Sequence, residues 1–129
     1  MSNPTSLSTE AVVTQDMLAC AVGSGSLPVL ATPAVAALFE QSASLLAQKY
    51  LDEGITSVGT KLSLSHDAPT APGAHVTATA TLVSFEGRVF RFALEARDDA
   101  GVIATGTHER VSVKAATFPA KAEARLPKP

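Results

Sequence analysis

Apolar and polar positions along the chain follow two regimes. Between Thr32 and Gly54 the apolar residues recur at helical spacing, with Val35, Leu38, Phe39, Leu45 and Leu46 forming the stripe of a core-facing helix. Thr32 is a favoured N-cap, Pro33 suits the first helical position because its missing N–H would be unpaired there, and Gly54 is placed to stop the helix. The pattern predicts a helix of about twenty residues, roughly 30 Å long at 1.5 Å per residue. Beyond Gly54 the period drops to two. Val58, Leu62 and Leu64 stand among hydroxyl residues over 56–65, Val76, Ala78, Ala80 and Leu82 alternate with threonines, and Phe90, Phe92, Leu94 and Ala96 alternate with Arg91, Ala93, Glu95 and Arg97. Each run reads as a half-buried strand. Glu86-Gly87 and Asp98-Asp99-Ala100-Gly101 supply hairpin connections, Pro69 and Pro72-Gly73 turn the chain earlier, and Val102–Val113 is the last strand. Upstream, Glu10–Thr14 reads as a short strand and Gly23-Ser24-Gly25-Ser26 as a flexible connection.

One strand, one long helix and about four antiparallel strands form an α+β layer in which the helix covers a single face of the sheet. The other face and the sheet edges need cover, and a second copy of the chain is the economical source. The expectation is a hotdog fold: one long helix wrapped by a curved antiparallel sheet of about five strands, assembled as a homodimer or higher homo-oligomer. A single domain over 1–129 accounts for all the elements, with the polar N-terminal residues and the tail after about 118 as flexible ends. An apolar share of 46% over 129 residues is enough to build its core.

Composition removes several function classes. With aromatic residues at 5%, no Trp and a net charge of −2, the chain offers neither a stacking platform nor a basic groove for nucleic acid. Its opening residues lack the charged and apolar regions of a leader, and no apolar run is long enough to span a bilayer, so no membrane partner and a cytoplasmic location are expected. The lone Cys20 can form neither an internal disulfide nor a cysteine zinc site, and reads as a small core residue. No nucleotide-loop, dinucleotide or metalloprotease motif is present, so no metal and no cofactor are expected. Charge is uneven: residues 1–60 carry Lys49 against five acids, whereas 110–129 carry Arg110, Lys114, Lys121, Arg125 and Lys128 against Glu123 alone. That basic end suits an anionic ligand such as a nucleotide phosphate.

Candidate chemistry gathers on the helix and the first long strand. Around Glu40, the neighbours at helical spacing are Ala36, Ala37, Ala43, Ser44 and Ala47, short side chains that would let another backbone approach and enclose the carboxylate. Enclosure of this kind prepares a carboxylate for acid or base work. Of the three histidines, His75 reads as a surface residue and His108 as structural or hydrogen-bonding. His66 ends a strand just before Asp67-Ala68-Pro69, where side chains often face a cleft, and is a candidate general base.

Several short pieces then align in order. They are Thr32 followed eight residues later by Glu40, Ser57-Val58-Gly59-Thr60, His66 opening His-Asp-Ala-Pro-Thr-Ala-Pro-Gly, Glu86-Gly87-Arg88, and Gly106-Thr107-His108-Glu109-Arg110. Over roughly 27–118 the chain resembles the fluoroacetyl-CoA thioesterase-like family of hotdog thioesterases. The resemblance implies hydrolysis of an acyl-CoA, with coenzyme A part of the substrate, and a catalytic set falling on Thr32, Glu40 and His66. It also implies that Gly59 lies against the thioester and Arg110 near the coenzyme A end. In such chemistry Glu40 serves as nucleophile or general base, His66 orients water and moves a proton, and Thr32 polarises or positions the substrate. Where the fluoroacetyl-specific members carry bulky aromatics over the acyl pocket, this chain has Gly23, Ser24, Gly25 and Ser26. That departure implies a more open pocket for another short or medium acyl group. A non-catalytic acyl-CoA binding module, or another acyl-thioester enzyme of this fold such as a dehydratase, are the alternatives.

Overall fold

The computed structural model describes residues 3–128. Strand β1 (Ser6–Val12) is followed by a 3-10 turn at Gln15–Met17, the short helix α1 (Ala19–Val22) and the long helix α2 (Thr32–Gln48). Four strands follow, β2 (Ile55–His66), β3 (His75–Glu86), β4 (Val89–Asp98) and β5 (Gly101–Lys114), and then the short helix α3 (Phe118–Glu123). The strands form one antiparallel sheet in the order β1-β3-β4-β5-β2, with α2 packed on one face: the α+β hotdog architecture expected. Strands β1 and β2 form its edges. No helix among the described residues is long and apolar enough to cross a membrane.

The strands after Gly54 fall where the two-residue alternation puts them, because one face of each must bury its apolar positions under α2. Phe90, Phe92, Leu94 and Ala96 of β4 and Val76, Ala78 and Ala80 of β3 are all buried. The N-terminal strand differs from expectation. It occupies Ser6–Val12 rather than 10–14, running in register with β3 from Ser6 opposite Thr81 to Val12 opposite His75. Hydroxyl side chains hide it in a hydropathy pattern, yet here they bond across elements. Ser8 Oγ meets Thr79 Oγ1 at 2.6 Å, and Thr9 Oγ1 meets Ser42 Oγ of α2 at 2.7 Å. The polar N-terminus is therefore strand over these residues; Met1, Ser2 and Pro129, at the ends expected to be flexible, lie outside the described residues.

Helix α2 is shorter than predicted, 17 residues, and rotated relative to the expected stripe. Val35, Phe39, Ser42, Ala43, Leu46 and Ala47 face the sheet, while Leu45 is exposed. Ala43 and Ala47 thus bring the helix close to the sheet instead of lining an open cleft beside Glu40. Ser42 Oγ, donating to Ala78 O at 2.8 Å, fastens this close contact. Three further expectations are corrected. The 23–26 segment is bracketed by hydrogen bonds: Ala19 N–H donates to Val29 O, Cys20 N–H to Leu27 O, and Gly23 and Ser24 N–H to Ala19 O, with Gly23 at φ +82° closing α1. Cys20 lies on the exposed side of α1, because a helix of only four residues leaves most of its surface to water. The tail after 118 begins with α3 rather than as a loose end.

Candidate active site

The expected site residues fall into two groups at different levels of the sheet. At the start of α2 the last non-helical residue is Ala31, so Thr32 is the first helical residue and Pro33 the second. Thr32 makes no capping bond. Its Oγ1 instead meets His66 Nδ1, at the end of β2, at 2.8 Å. A threonine at the N-cap would direct its hydroxyl at the helix backbone; one residue later the hydroxyl is free to engage the imidazole. The other imidazole nitrogen, His66 Nε2, is buried with no hydrogen-bond partner among the described residues. A buried polar atom without a partner is costly in a finished structure and marks a place where a ligand or water completes the bonding. The pair opens on a cavity of about 330 Å³ lined by Ala19, Ser24, Leu30, Thr32, His66 and Pro69 among others. No Phe, Tyr or Trp lines it among the described residues.

The second group surrounds Glu40. Its Oε2 lies 3.7 Å from Arg110 Nη1, and a Cβ added to Gly59 would stand 2.7 Å from the same oxygen. Glycine at 59 is therefore what allows the carboxylate to lie against the β2 backbone, at the start of the β-bulge that shifts register between Gly59 and Lys61. Arg110, opposite Gly59 across the β2–β5 ladder, is buried. Its Nε donates to Ser57 Oγ at 2.8 Å and its Nη2 to Ser57 O at 3.0 Å. Burial pulls the Arg110 pKa below its ordinary value and the Glu40 carboxylate opposes this; guanidinium basicity leaves the group a cation. With its donors occupied in this way, Arg110 braces the carboxylate. The resemblance places it near the coenzyme A end; within the subunit its side chain is buried.

His108 completes this group in the hydrogen-bonding role expected of it, though its place beside Glu40 was not foreseen. It is buried, its Nδ1 lies 2.7 Å from Lys61 O, and its Nε2 lies 3.2 Å from Arg110 Nη1. Lys61 O can only accept and Arg110 can only donate, so the ring is neutral with its proton on Nδ1. Burial lowers its pKa most, against the Lys61 carbonyl bond that raises it; Arg110 lowers it further, and Glu40 and Glu109 oppose. The available signal was the alternation on β5, which puts His108 and Arg110 on one face. Ser57, noted only as part of the Ser57–Thr60 piece, was given no role, because that role depends on pairing with Ser112 beside the Arg110 row. His75 is exposed, as predicted.

The two groups do not meet within a subunit. Thr32 and Glu40 are eight residues apart on α2, roughly 12 Å of rise, and Gly59 and His66 are seven apart on β2, roughly 23 Å of strand. Chemically, one group offers a hydroxyl and an imidazole with a free nitrogen, and the other a carboxylate braced by a cation.

Comparison with known proteins adds the context for these groups. The family described as FlK, fluoroacetyl-CoA-specific thioesterase, matches residues 13–116. The chain is 37% identical over 99 residues to a fluoroacetyl-CoA thioesterase of Streptantibioticus cattleyicolor, covering 77% of this chain and 71% of the relative. Its structure superposes on that of the fluoroacetyl-CoA thioesterase FlK with a TM-score of 0.89 at 31% identity, over 98% of both chains. A point mutant of FlK solved with fluoroacetate and CoA matches at a TM-score of 0.87 and 31% identity, over 93% of this chain and 98% of the other. A Thermus thermophilus protein described as a thioesterase superfamily member matches at 0.86 and 26% identity, over 95% and 91%. These likenesses favour thioester hydrolysis over the binding-module and dehydratase alternatives.

Proposed function

The chain belongs to the fluoroacetyl-CoA-specific thioesterase family, and from that premise we propose that it hydrolyses the thioester of a short or medium acyl-CoA to the free acid and CoA. The observation that carries the site assignment is the Thr32 Oγ1 to His66 Nδ1 contact at 2.8 Å, with Nε2 buried and unpartnered beside the cavity. If His66 Nδ1–H donates to Thr32 Oγ1, the threonine O–H is left to donate to the thioester carbonyl oxygen and polarise it. The Nε2 lone pair then faces the cavity and moves the proton: where Glu40 activates water, that water's proton is relayed through Nε2 to the departing thiolate as the C–S bond breaks; where Glu40 itself attacks, the thiolate leaves first and takes its proton from solvent, and Nε2 takes the proton of the water that then cleaves the acyl–Glu40 anhydride. Glu40 supplies the carboxylate, either attacking the carbonyl carbon itself or activating the water that does. Gly59 lines the thioester at the bulge, and Arg110 holds Glu40 in place.

A single subunit separates these parts too widely to act on one carbon atom. We therefore propose that the working unit is a homodimer in which Glu40 of one protomer faces the Thr32–His66 pair of the other. The unpaired edge of β2 and the uncovered sheet face support such pairing. The cavity beside the pair is bordered by Ala19 and Ser24, not by bulky aromatics, which supports an acyl group other than fluoroacetyl. Measuring thiol release from a panel of acyl-CoA esters tests the reading. Glu40→Ala is expected to lower kcat by about 10²- to 10⁴-fold, the range that positioned acid or base groups supply; equal rates in both proteins would remove Glu40 from the mechanism.

A further inference from the structure

Three side chains converge above Gly59. A Cβ added there would stand 2.7 Å from Glu40 Oε2, 3.1 Å from His108 Cε1 and 3.4 Å from Arg110 Nη1. Carboxylate, imidazole and guanidinium therefore share one small space, reached from α2 and β5 over the backbone of β2. Glu40 is the loose member of the three: its side chain is 45% exposed, against 8% for Arg110. A half-exposed glutamate has several rotamers open to it, and a fixed charge beside it favours one.

Arg110 can fix Glu40 only if its own Nη1 is fixed. Both bonds to Ser57 lie along the Nε–Nη2 edge of the guanidinium and fall on a single residue. The plane can still swing about that edge, and Nη1, at the opposite corner, moves furthest. Nη1 lies 3.2 Å from His108 Nε2 and 3.7 Å from Glu40 Oε2. It carries two hydrogens, so an imidazole that accepts one leaves the other for the carboxylate. The ring is itself anchored, with Nδ1 2.7 Å from Lys61 O at the end of the bulge and the Phe92 ring beside it at a centroid distance of 6.1 Å. Lys61 O, the imidazole, Nη1 and the Glu40 carboxylate thus form one chain of contacts from backbone to reacting group.

We propose that His108 is a positioning residue for thioester hydrolysis: its Nε2 lone pair pins Arg110 Nη1, which holds the Glu40 carboxylate where it acts. The inference rests on the reading of Glu40 as nucleophile or general base. His108 touches no reacting atom and exchanges no proton in the reaction; it contributes by keeping the carboxylate in one place before the substrate arrives.

Two amides separate the two bonds of the ring. Gln can bring its Oε1 to the place of Nε2 and accept from Arg110, whereas Asn can bring its amide nitrogen to the place of Nδ1 and keeps only the bond to Lys61 O. In thiol-release assays of the intact protein, His108→Asn is expected to lower kcat by roughly tenfold to a hundredfold with KM within about twofold, and His108→Gln to keep most of kcat. A purely structural role would lower both in step with their thermal stability. Placed in Glu40→Gln, His108→Asn should add little further loss, because it acts through the carboxylate. A further readout needs no substitution: nitrogen NMR of the labelled wild type should show His108 neutral, with the proton on Nδ1 and Nε2 bare. A proton on Nε2, equal kcat in the Asn and Gln variants, or an undiminished loss in the Glu40→Gln background would overturn the proposal. Wild-type turnover in Glu40→Ala would instead sink the reading of Glu40 beneath it. Hydrolysis that needs Glu40 but is indifferent to His108→Asn would keep that reading and sink the role of His108.

Discussion

Thr32 shows how one residue's displacement changes its meaning. As an N-cap it would contribute about 1 kcal/mol to helix stability. As the first helical residue its hydroxyl bonds His66 and leaves the cap to Ala31. Thr32→Ala is therefore expected to cost less than about 0.5 kcal/mol in denaturant unfolding while lowering kcat/KM by roughly tenfold or more. A stability loss without an activity loss would restore the capping role. His108 carries a second prediction. Its pKa is lowered by burial, so between that value and about 6.5 the unfolded chain binds a proton that the native protein refuses. The His108 contribution is intact above pH 6.5 and lost as the pH falls below it. Thermal unfolding between pH 7.5 and 5.5 should show a shallower acid loss in His108→Gln than in the wild type; parallel slopes would assign that loss to other groups. Thr32, Glu40 and His66 could be singled out because their types and spacing match a known pattern, and the Thr32–His66 contact brings two of them together. His108 and Ser57 were not, since a buried histidine in a strand looks alike in a core and in a site until its neighbours across the ladder are known.

Among the elements, β2 to β5 were legible almost to the residue, because a sheet with one buried face forces a strict two-residue alternation. Helix α2 was legible in existence but not in rotation. Leu45 and Leu46 are equally apolar, yet only Leu46 faces the sheet, and the choice is made by Ala43 and Ala47, whose short side chains permit close approach. The small-residue stripe near Glu40 is thus partly a packing device. Ala43→Leu decides between the two roles: facing the sheet it should destabilise the fold by about 1–3 kcal/mol in urea unfolding, whereas in an open cleft it would be tolerated. Strand β1 was placed too late in the chain, at 10–14 instead of Ser6–Val12, because its serines and threonines spend their hydroxyls on Thr79 and Ser42, an exchange of partners that hydropathy does not register.

At the scale of the whole molecule, one subunit carries two candidate groups that it does not join. The Thr32–His66 pair lies by the cavity near Ser24, and the Glu40–Arg110–His108 group lies near Gly59. The separation of the two groups follows from residue spacing along α2 and β2, but the burial of Arg110 was not available before the sheet order was known, since β5 lies between β4 and β2 only in the folded sheet. In the proposed dimer, pairing two subunits would bring unlike halves together and cover the β2 edge. The central claim is that a thioester is hydrolysed between Glu40 of one protomer and His66 of the other, and the most direct measurement mixes two inactive variants. Glu40→Gln and His66→Ala subunits, unfolded together and refolded, should each be inactive alone but regain up to about one quarter of wild-type thiol release as a mixture, because half of the random dimers then carry one intact composite site. A mixture as inactive as its parents, with mixed dimers verified by mass, would contradict the shared site.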